Sequence, residues 1–236
     1  MTETVQMGLP LVQPAQAQKH VTVNEAFTRL DALAKLVIVS RTVVLPPVAA
    51  TEGQVWAVPQ GAVNDWEGQG GKLALFQNGG WSFVSPRPGW TAWIAAEHMQ
   101  AVFDGAAWRS GAVALSPARA GSFFRVSEFD HPITAGSSSQ TSPVVPAGTM
   151  LLAVTARVLA PITGTLTGWQ LGNPGALNRF GSGLGLQTGS WARGLLSTPM
   201  SFYENTPLVL TATGGSFTGG EVRIALHLFE VGLPSP

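Results

Sequence analysis

Between His131 and Tyr203 the chain has no aspartate and no glutamate, and its only Lys or Arg residues there are Arg157, Arg179 and Arg193. Trp169, Trp191 and Tyr203 accompany them, among abundant Gly, Ser and Thr. A guanidinium fork pairs with a carboxylate in a geometry that a lysine ammonium lacks, and a flat aromatic ring can cover the C–H face of a sugar. These residue types point to recognition of a neutral or acidic polysaccharide. Trp169, Arg179, Trp191, Arg193 and Tyr203 are the carbohydrate-binding candidates. The alternative is that the rings fill a core and the arginines are ordinary surface residues.

Cleavage of such a ligand is a different matter. Glycoside hydrolysis ordinarily needs two carboxylates flanking the scissile bond, and this stretch supplies none. Asp65, Glu67, Asp104, Glu128, Asp130, Glu204, Glu221 and Glu230 lie outside it and are free to converge in space. His20, His98, His131 and His227 are scattered, with no pair at the spacing of a helical metal site. Neither a Gly-x-Ser-x-Gly elbow nor a phosphate-binding Gly-x-x-x-x-Gly-Lys loop occurs. Gly181-Ser182-Gly183-Leu184-Gly185 has the wrong spacing for a dinucleotide loop and suits a tight β turn. Asp130 and His131 could form half of a triad, but adjacent residues on a strand point to opposite faces. The expectation is a protein that is not an enzyme, with no catalytic residue, no metal and no cofactor; a polysaccharide depolymerase is the alternative.

Composition narrows the partners. The 236 residues carry 13 Lys plus Arg against 13 Asp plus Glu, so the net charge is zero, and charged residues make up only 11%. With no basic run, nucleic acid is not expected as a partner. Hydrophobic content of 45% sets the chain far from the disordered class. Cysteine is absent, which removes disulfides and thiolate metal sites. The Met1-Thr2-Glu3-Thr4 start lacks the features of a secretion signal, and no apolar run approaches the roughly 20 residues needed to span a bilayer. No membrane insertion is expected.

The elements that must position these residues read as mainly β, in four segments. Residues 1–50 are a docking segment and one helix. Thr22 and Glu25 have capping-box spacing for a helix start, and Phe27, Leu30, Ala34 and Val37 make an apolar face at helical spacing. That face packs either on its own domain or on copies of itself. Val37 to Leu45 reads as a strand stopped by Pro46-Pro47. Residues 51–112 are a small Trp-rich β-hairpin module holding six of the eight Trp. In it, Phe76-Gln77-Asn78-Gly79-Gly80-Trp81 and Phe103-Asp104-Gly105-Ala106-Ala107-Trp108 each set an aromatic five residues before a Trp, across an Asn-Gly or Asp-Gly hairpin signal. Residues 113–128 read as a linker. Residues 129–236 read as an antiparallel β-sandwich of jelly-roll type, because Met150, Leu152, Val154, Ala156 and Val158, and later Val222, Ile224, Leu226 and Leu228, recur with period two.

Leu9-Pro10-Leu11-Val12-Gln13-Pro14-Ala15-Gln16-Ala17-Gln18-Lys19-His20-Val21-Thr22-Val23-Asn24-Glu25-Ala26 is polar, nearly uncharged and poor in core-forming groups. It reads as a docking or oligomer interface, with Gln13, Gln16, Gln18, Lys19, His20, Asn24 and Glu25 as its candidates. The segment closely resembles the start of a family of phage and gene-transfer-agent proteins that includes head-spike, or capsid-fibre, proteins; many members are known only as a domain of unknown function. Trp169–Gly172, Arg179–Gly183, Ser190–Gly194 and Thr213–Gly220 are similar to the family as well. The resemblance implies a spike on the surface of a phage-like particle, assembled in the cytoplasm and released by lysis. Its implied partners are other capsid or spike proteins and the recipient cell's capsular polysaccharide. A homo-oligomer is expected, a pentamer before a trimer. A structural adaptor carrying a separate receptor-binding fibre is the remaining alternative.

Overall fold

The computed structural model describes residues 3–4, 9–12 and 19–236, with residues 19–22 described by backbone alone. It divides into two compact units, one ending at Ala112 and one running from Val113 to Pro236. The fold is mainly β, with one α-helix among the described residues.

The first unit contains α1 (Lys19–Ala34) and strands β1 (Val37–Ile38), β2 (Val55–Ala57), β3 (Leu73–Gln77), β4 (Gly80–Val84), β5 (Thr91–Ile94), β6 (Met99–Phe103) and β7 (Trp108–Ser110). They form one sheet in the order β4-β3-β2-β1-β5-β6-β7. The two-residue β1 runs parallel to both β2 and β5, so two antiparallel three-stranded meanders flank it. Each meander places a 3-10 turn between its first two strands, at Asn64–Trp66 and at Ala95–Glu97. Each also ends in a hairpin that pairs its aromatics directly, Phe76 with Trp81 and Phe103 with Trp108. The repeated sequence pattern is thus a repeated structure.

Carboxylates hold both hairpin loops. Asn78 and Gly79 have φ of 52° and 73°, the left-handed pair that a tight two-residue hairpin requires. Glu52 accepts hydrogen bonds from both of their N–H groups at 2.9 Å. In the second hairpin Asp104 accepts the N–H groups of Ala106 and Ala107 at 2.8 and 2.7 Å, and Arg109 Nε at 2.7 Å.

One face of this sheet buries Ile38, Val55, Leu73 and Ile94 completely and packs with Ala32 of α1 and Leu36. The other buries Trp56, Trp66 and Ala74 beneath Trp81. Trp81 meets Trp56, Trp66 and Phe76 edge-on, with centroids 5.3, 5.1 and 5.0 Å apart.

Several expectations for the N-terminal region need correction. The described helix already includes Lys19, so Thr22 lies inside it and does not cap it. Its inward side carries Asp31 and Ala32, while Leu30, Ala34 and Val37 are exposed. Asp31 draws that side inward because its carboxylate accepts the Thr4 hydroxyl at 3.0 Å, a polar anchor that hydrophobic periodicity does not reveal. The strand expected over Val37 to Leu45 ends at Ile38, between the two meanders. Residues 1–50 and 51–112 are therefore not separate segments: β1 is the centre of the Trp-rich sheet.

In the second unit, β8 (Ala112–Leu115, whose first residue is the last of the first unit), β9 (Gly121–Pro132), β11 (Thr149–Gly164), β14 (Trp191–Phe202) and β16 (Phe217–Val231) pair in a five-stranded sheet of order β14-β11-β16-β9-β8. Strands β10 (Ser138–Val145), β12 (Gly168–Asn173), β13 (Ala176–Leu184) and β15 (Thr206–Thr213) form a four-stranded sheet of order β10-β15-β12-β13. From β9 to β16 the chain crosses between the sheets at every step except the β12–β13 hairpin, the double Greek-key order of a jelly roll. The core between them draws Leu151, Val154, Val158, Val222, Ile224 and Leu226 from one sheet and Trp169, Leu171, Leu208 and Leu210 from the other. Gly194 is needed here because a Cβ at that position would lie 2.5 Å from the Phe180 backbone.

The last strand buries Val222, Ile224, Leu226 and Leu228 as its alternation implies. In β11 the pairing shifts between Leu151 and Ala153, with both neighbouring strands. One extra residue reverses the facing of a strand. Leu151 consequently enters the core, and Met150 and Leu152 become half-buried. The expected linker over 113–128 is also strand. A turn closed by Ser116 N–H to Ala120 O at 2.8 Å joins β8 to β9, and the small residues of that turn are what resembled a linker.

Candidate functional site

The outer face of the five-stranded sheet brings together groups far apart in sequence. Register places Trp191 of β14 opposite Arg157 of β11, Arg157 opposite Arg223 of β16, and Arg223 opposite Asp130 of β9. The next outward row runs Arg193, Thr155, Ala225 and Glu128 across the same four strands. These two rows border a shallow hollow of about 350 Å³ lined by Glu128, Thr155, Arg157, Trp191, Arg193 and Arg223. Alternation explains the facing: Ala156, Ala192, Val222 and Ile224 point inward to the core, and their neighbours point out.

Charge is distributed unevenly across this face. Arg223 donates to both oxygens of Asp130, Nε to Oδ1 at 2.7 Å and Nη2 to Oδ2 at 2.8 Å. Its Nε also lies 3.8 Å from Glu128. The hydrogen bonds and charge of Arg223 hold the Asp130 carboxyl below the usual carboxylate range, and Asp130 raises the Arg223 guanidinium in return. Among the described residues, neither Arg157 nor Arg193 has a carboxylate partner. Arg193 instead lies 5.6 Å from the Trp191 ring centroid, and Trp191 is 59% exposed. Such a face can take an anion with a flat apolar side.

The carbohydrate-binding candidates are thus divided. Trp191 and Arg193 meet in the hollow. Trp169 does not: it is 1% exposed, and its indole N–H donates to Gly185 O at 2.9 Å, so it belongs to the core. Strand β12 is buried along almost its whole length, which leaves its tryptophan no outward side. Arg179 lies on β13 in the other sheet, with Nε donating to Asn173 Oδ1 at 2.8 Å. Tyr203 is exposed just beyond β14 and does not line the hollow. Arg157, Arg223 and Glu128 complete the site and were not among the candidates. A local signal for Arg157 existed, since Ala156 and Val158 are apolar on either side of it.

Of the docking candidates, Gln13, Gln16 and Gln18 lie outside the described residues, and Lys19 and His20 are described only as helical backbone. Glu25 is exposed. Asn24 is engaged within the chain, its amide accepting from Val12 N–H at 2.8 Å and donating to Val12 O at 3.0 Å. With Thr4 N–H donating to Leu9 O at 2.9 Å, the described part of the N-terminal motif is tied back toward its own helix.

Asp130 and His131 point to opposite faces, as expected for neighbours on a strand. His131 is buried, with Nε2 2.8 Å from Ser139 Oγ. Ser139 Oγ also accepts the backbone N–H and the hydroxyl of Thr134, at 3.0 and 3.1 Å. The serine proton therefore goes to Nε2, which makes His131 a neutral acceptor. In the first unit a wider hollow of about 910 Å³ runs between Pro46-Pro47 and Phe76, Trp81 and Phe83.

The family model described as "Protein of unknown function (DUF2793)" matches residues 23–109, which span most of α1 and the Trp-rich sheet. The match does not extend to the four C-terminal segments in which the sequence resembles the phage family. Among solved structures, a chain of the cyanophage Pam1 capsid asymmetric unit is similar at 22% identity and a TM-score of 0.32, over 45% of this chain and 84% of that one. No curated protein matches the chain.

Proposed function

We propose that this protein is a structural and adhesive component of a phage-like particle, a head spike that binds the polysaccharide of a recipient cell. The observation that carries the adhesive part is Trp191, an exposed indole beside two arginines without carboxylate partners on one open sheet face. An exposed ring beside guanidinium groups offers a flat apolar surface that a sugar C–H face can cover. The particle assignment rests on the N-terminal motif and its resemblance to head-spike proteins.

Binding without cleavage is part of the reading. Among the described residues Glu128 is the one carboxylate lining the hollow, and the neighbouring Asp130 is held ionised by Arg223. Neither arrangement offers the pair of carboxyl groups, one of them protonated near neutral pH, that hydrolysis uses. The spike is a homo-oligomer, with fivefold order favoured over threefold. Its apolar stripe on α1, where Val23 is 37% and Leu30 53% exposed, is the surface assigned to packing between copies. Light scattering that returned a monomer would refute the oligomer.

Glycan-array binding by the full chain and by Trp191→Ala tests the adhesive reading. Signal on bacterial surface polysaccharides, lost in the variant at unchanged melting temperature, is expected. Absence of binding, or sustained release of new reducing ends, would overturn it.

A further inference from the structure

We infer that the hollow selects sugars bearing a carboxylate, with the acid held between Arg157 and Arg193 and the sugar ring on Trp191. This rests on the glycan-binding reading above and narrows it to one chemical class.

The argument starts from like charges. Arg157 stands directly opposite Arg223, an arrangement that destabilises a sheet unless a counter-charge is present. Asp130 supplies that counter-charge to Arg223 through two short hydrogen bonds, and Glu128 stands on the same side. Among the described residues nothing equivalent serves the β14 side. Arg193 is the diagonal neighbour of Arg157, at the distance of about 7–8 Å usual for such pairs, and among the described residues neither has an acidic partner. A sheet face with two adjacent uncompensated guanidinium groups is complementary to a planar anion, which each can grip in fork geometry.

Trp191 determines what kind of anion. It lies directly opposite Arg157, with Arg193 over one side of its ring and 59% of the residue still exposed, so a ligand gripped by both arginines has an open indole surface beside it. A bare phosphate or sulfate would leave that ring uncovered. A uronic acid supplies both a carboxylate and a C–H face. Arg179, hydrogen-bonded to Asn173 on the other sheet, takes no part.

The test compares an oligogalacturonate hexamer with the same hexamer after carboxyl reduction, by titration calorimetry with the full chain. The acidic form should bind about tenfold more tightly or better, the scale of one charge-assisted hydrogen bond. Arg157→Gln and Arg193→Gln should each remove most of that preference, Arg179→Gln should leave it intact, and Trp191→Ala should weaken both forms alike. Melting curves confirm that each variant is folded. Equal affinity for the two hexamers, with array binding retained, would overturn the carboxylate selectivity and leave the glycan-binding reading standing. Loss of all glycan binding would remove both. Competition by inorganic phosphate at the hexamer's own concentration would show a general anion site and refute the role given to Trp191.

Discussion

Arg157 and Arg223 face each other across β11 and β16, two positive side chains in direct cross-strand register. Among the described residues a carboxylate compensates Arg223, through the bidentate contact of Asp130, and none compensates Arg157. Removing that carboxylate should expose the repulsion. Asp130→Asn is expected to lower the melting temperature in the wild-type background and to lower it less when Arg157 is already Gln. The difference should shrink as salt is raised, because exposed charges are screened. A double-mutant cycle followed by thermal melting at two ionic strengths measures it; additive effects at low salt would contradict the pairing.

The hairpin aromatics should hold the Trp-rich sheet. Trp108 is 5% exposed and lies 5.3 Å from its cross-strand partner Phe103. Trp108→Ala is expected to cost about 3–5 kcal/mol. Trp81 is half-buried, yet three rings surround it, and Trp81→Ala should cost roughly 2–3 kcal/mol. Denaturant unfolding checks both. A loss below about 1 kcal/mol at Trp81, with folding intact, would instead mark that ring as a surface platform.

His131 gives the jelly roll a pH dependence with a defined sign. Burial pushes its imidazole below the ordinary histidine range, so the folded state keeps it neutral. Unfolded histidine titrates near pH ~6.5. Below that value the unfolded chain binds the proton and the folded one does not, so stability falls as pH drops. The contribution is complete above pH ~6.5 and is lost progressively from there down to the lowered folded value. A second loss is expected below pH ~4. There Asp104, whose burial is outweighed by the N–H groups of Ala107 and Ala106 and by Arg109, and Asp130, held by Arg223, must be protonated. Melting curves from pH 8 to pH 3 should show both steps, and His131→Gln should remove the first. A flat profile between pH 7 and pH 5 would contradict the assignment.

Much of this architecture was legible where structure is local. The Phe-to-Trp spacing across Asn-Gly and Asp-Gly turns encodes two hairpins, and the period-two burial of Val222 to Leu228 encodes the last strand. What was not legible depends on distant partners. Nothing in Val37-Ile38 announces that it sits between two meanders that arrive later in the chain. A one-residue bulge between Leu151 and Ala153 reverses the start of β11 without any glycine to mark it. Trp169 and Trp191 look equivalent as residues; one belongs to a strand buried on both sides and the other to an outward row, a distinction made by neighbouring strands. Arg157 joins the site through its register with Trp191, 34 residues away by subtraction of their numbers.

The central claim is that a sugar lies on Trp191, and oxidative footprinting read by mass spectrometry tests it most directly. Trp191, Tyr203 and Trp93 are 59%, 91% and 45% exposed, so all three should oxidise readily in the free protein. With a polysaccharide chosen by array binding, oxidation of Trp191 should drop several-fold while Tyr203 and Trp93 are unchanged. Protection of Tyr203 or Trp93 with Trp191 still fully reactive would contradict the account.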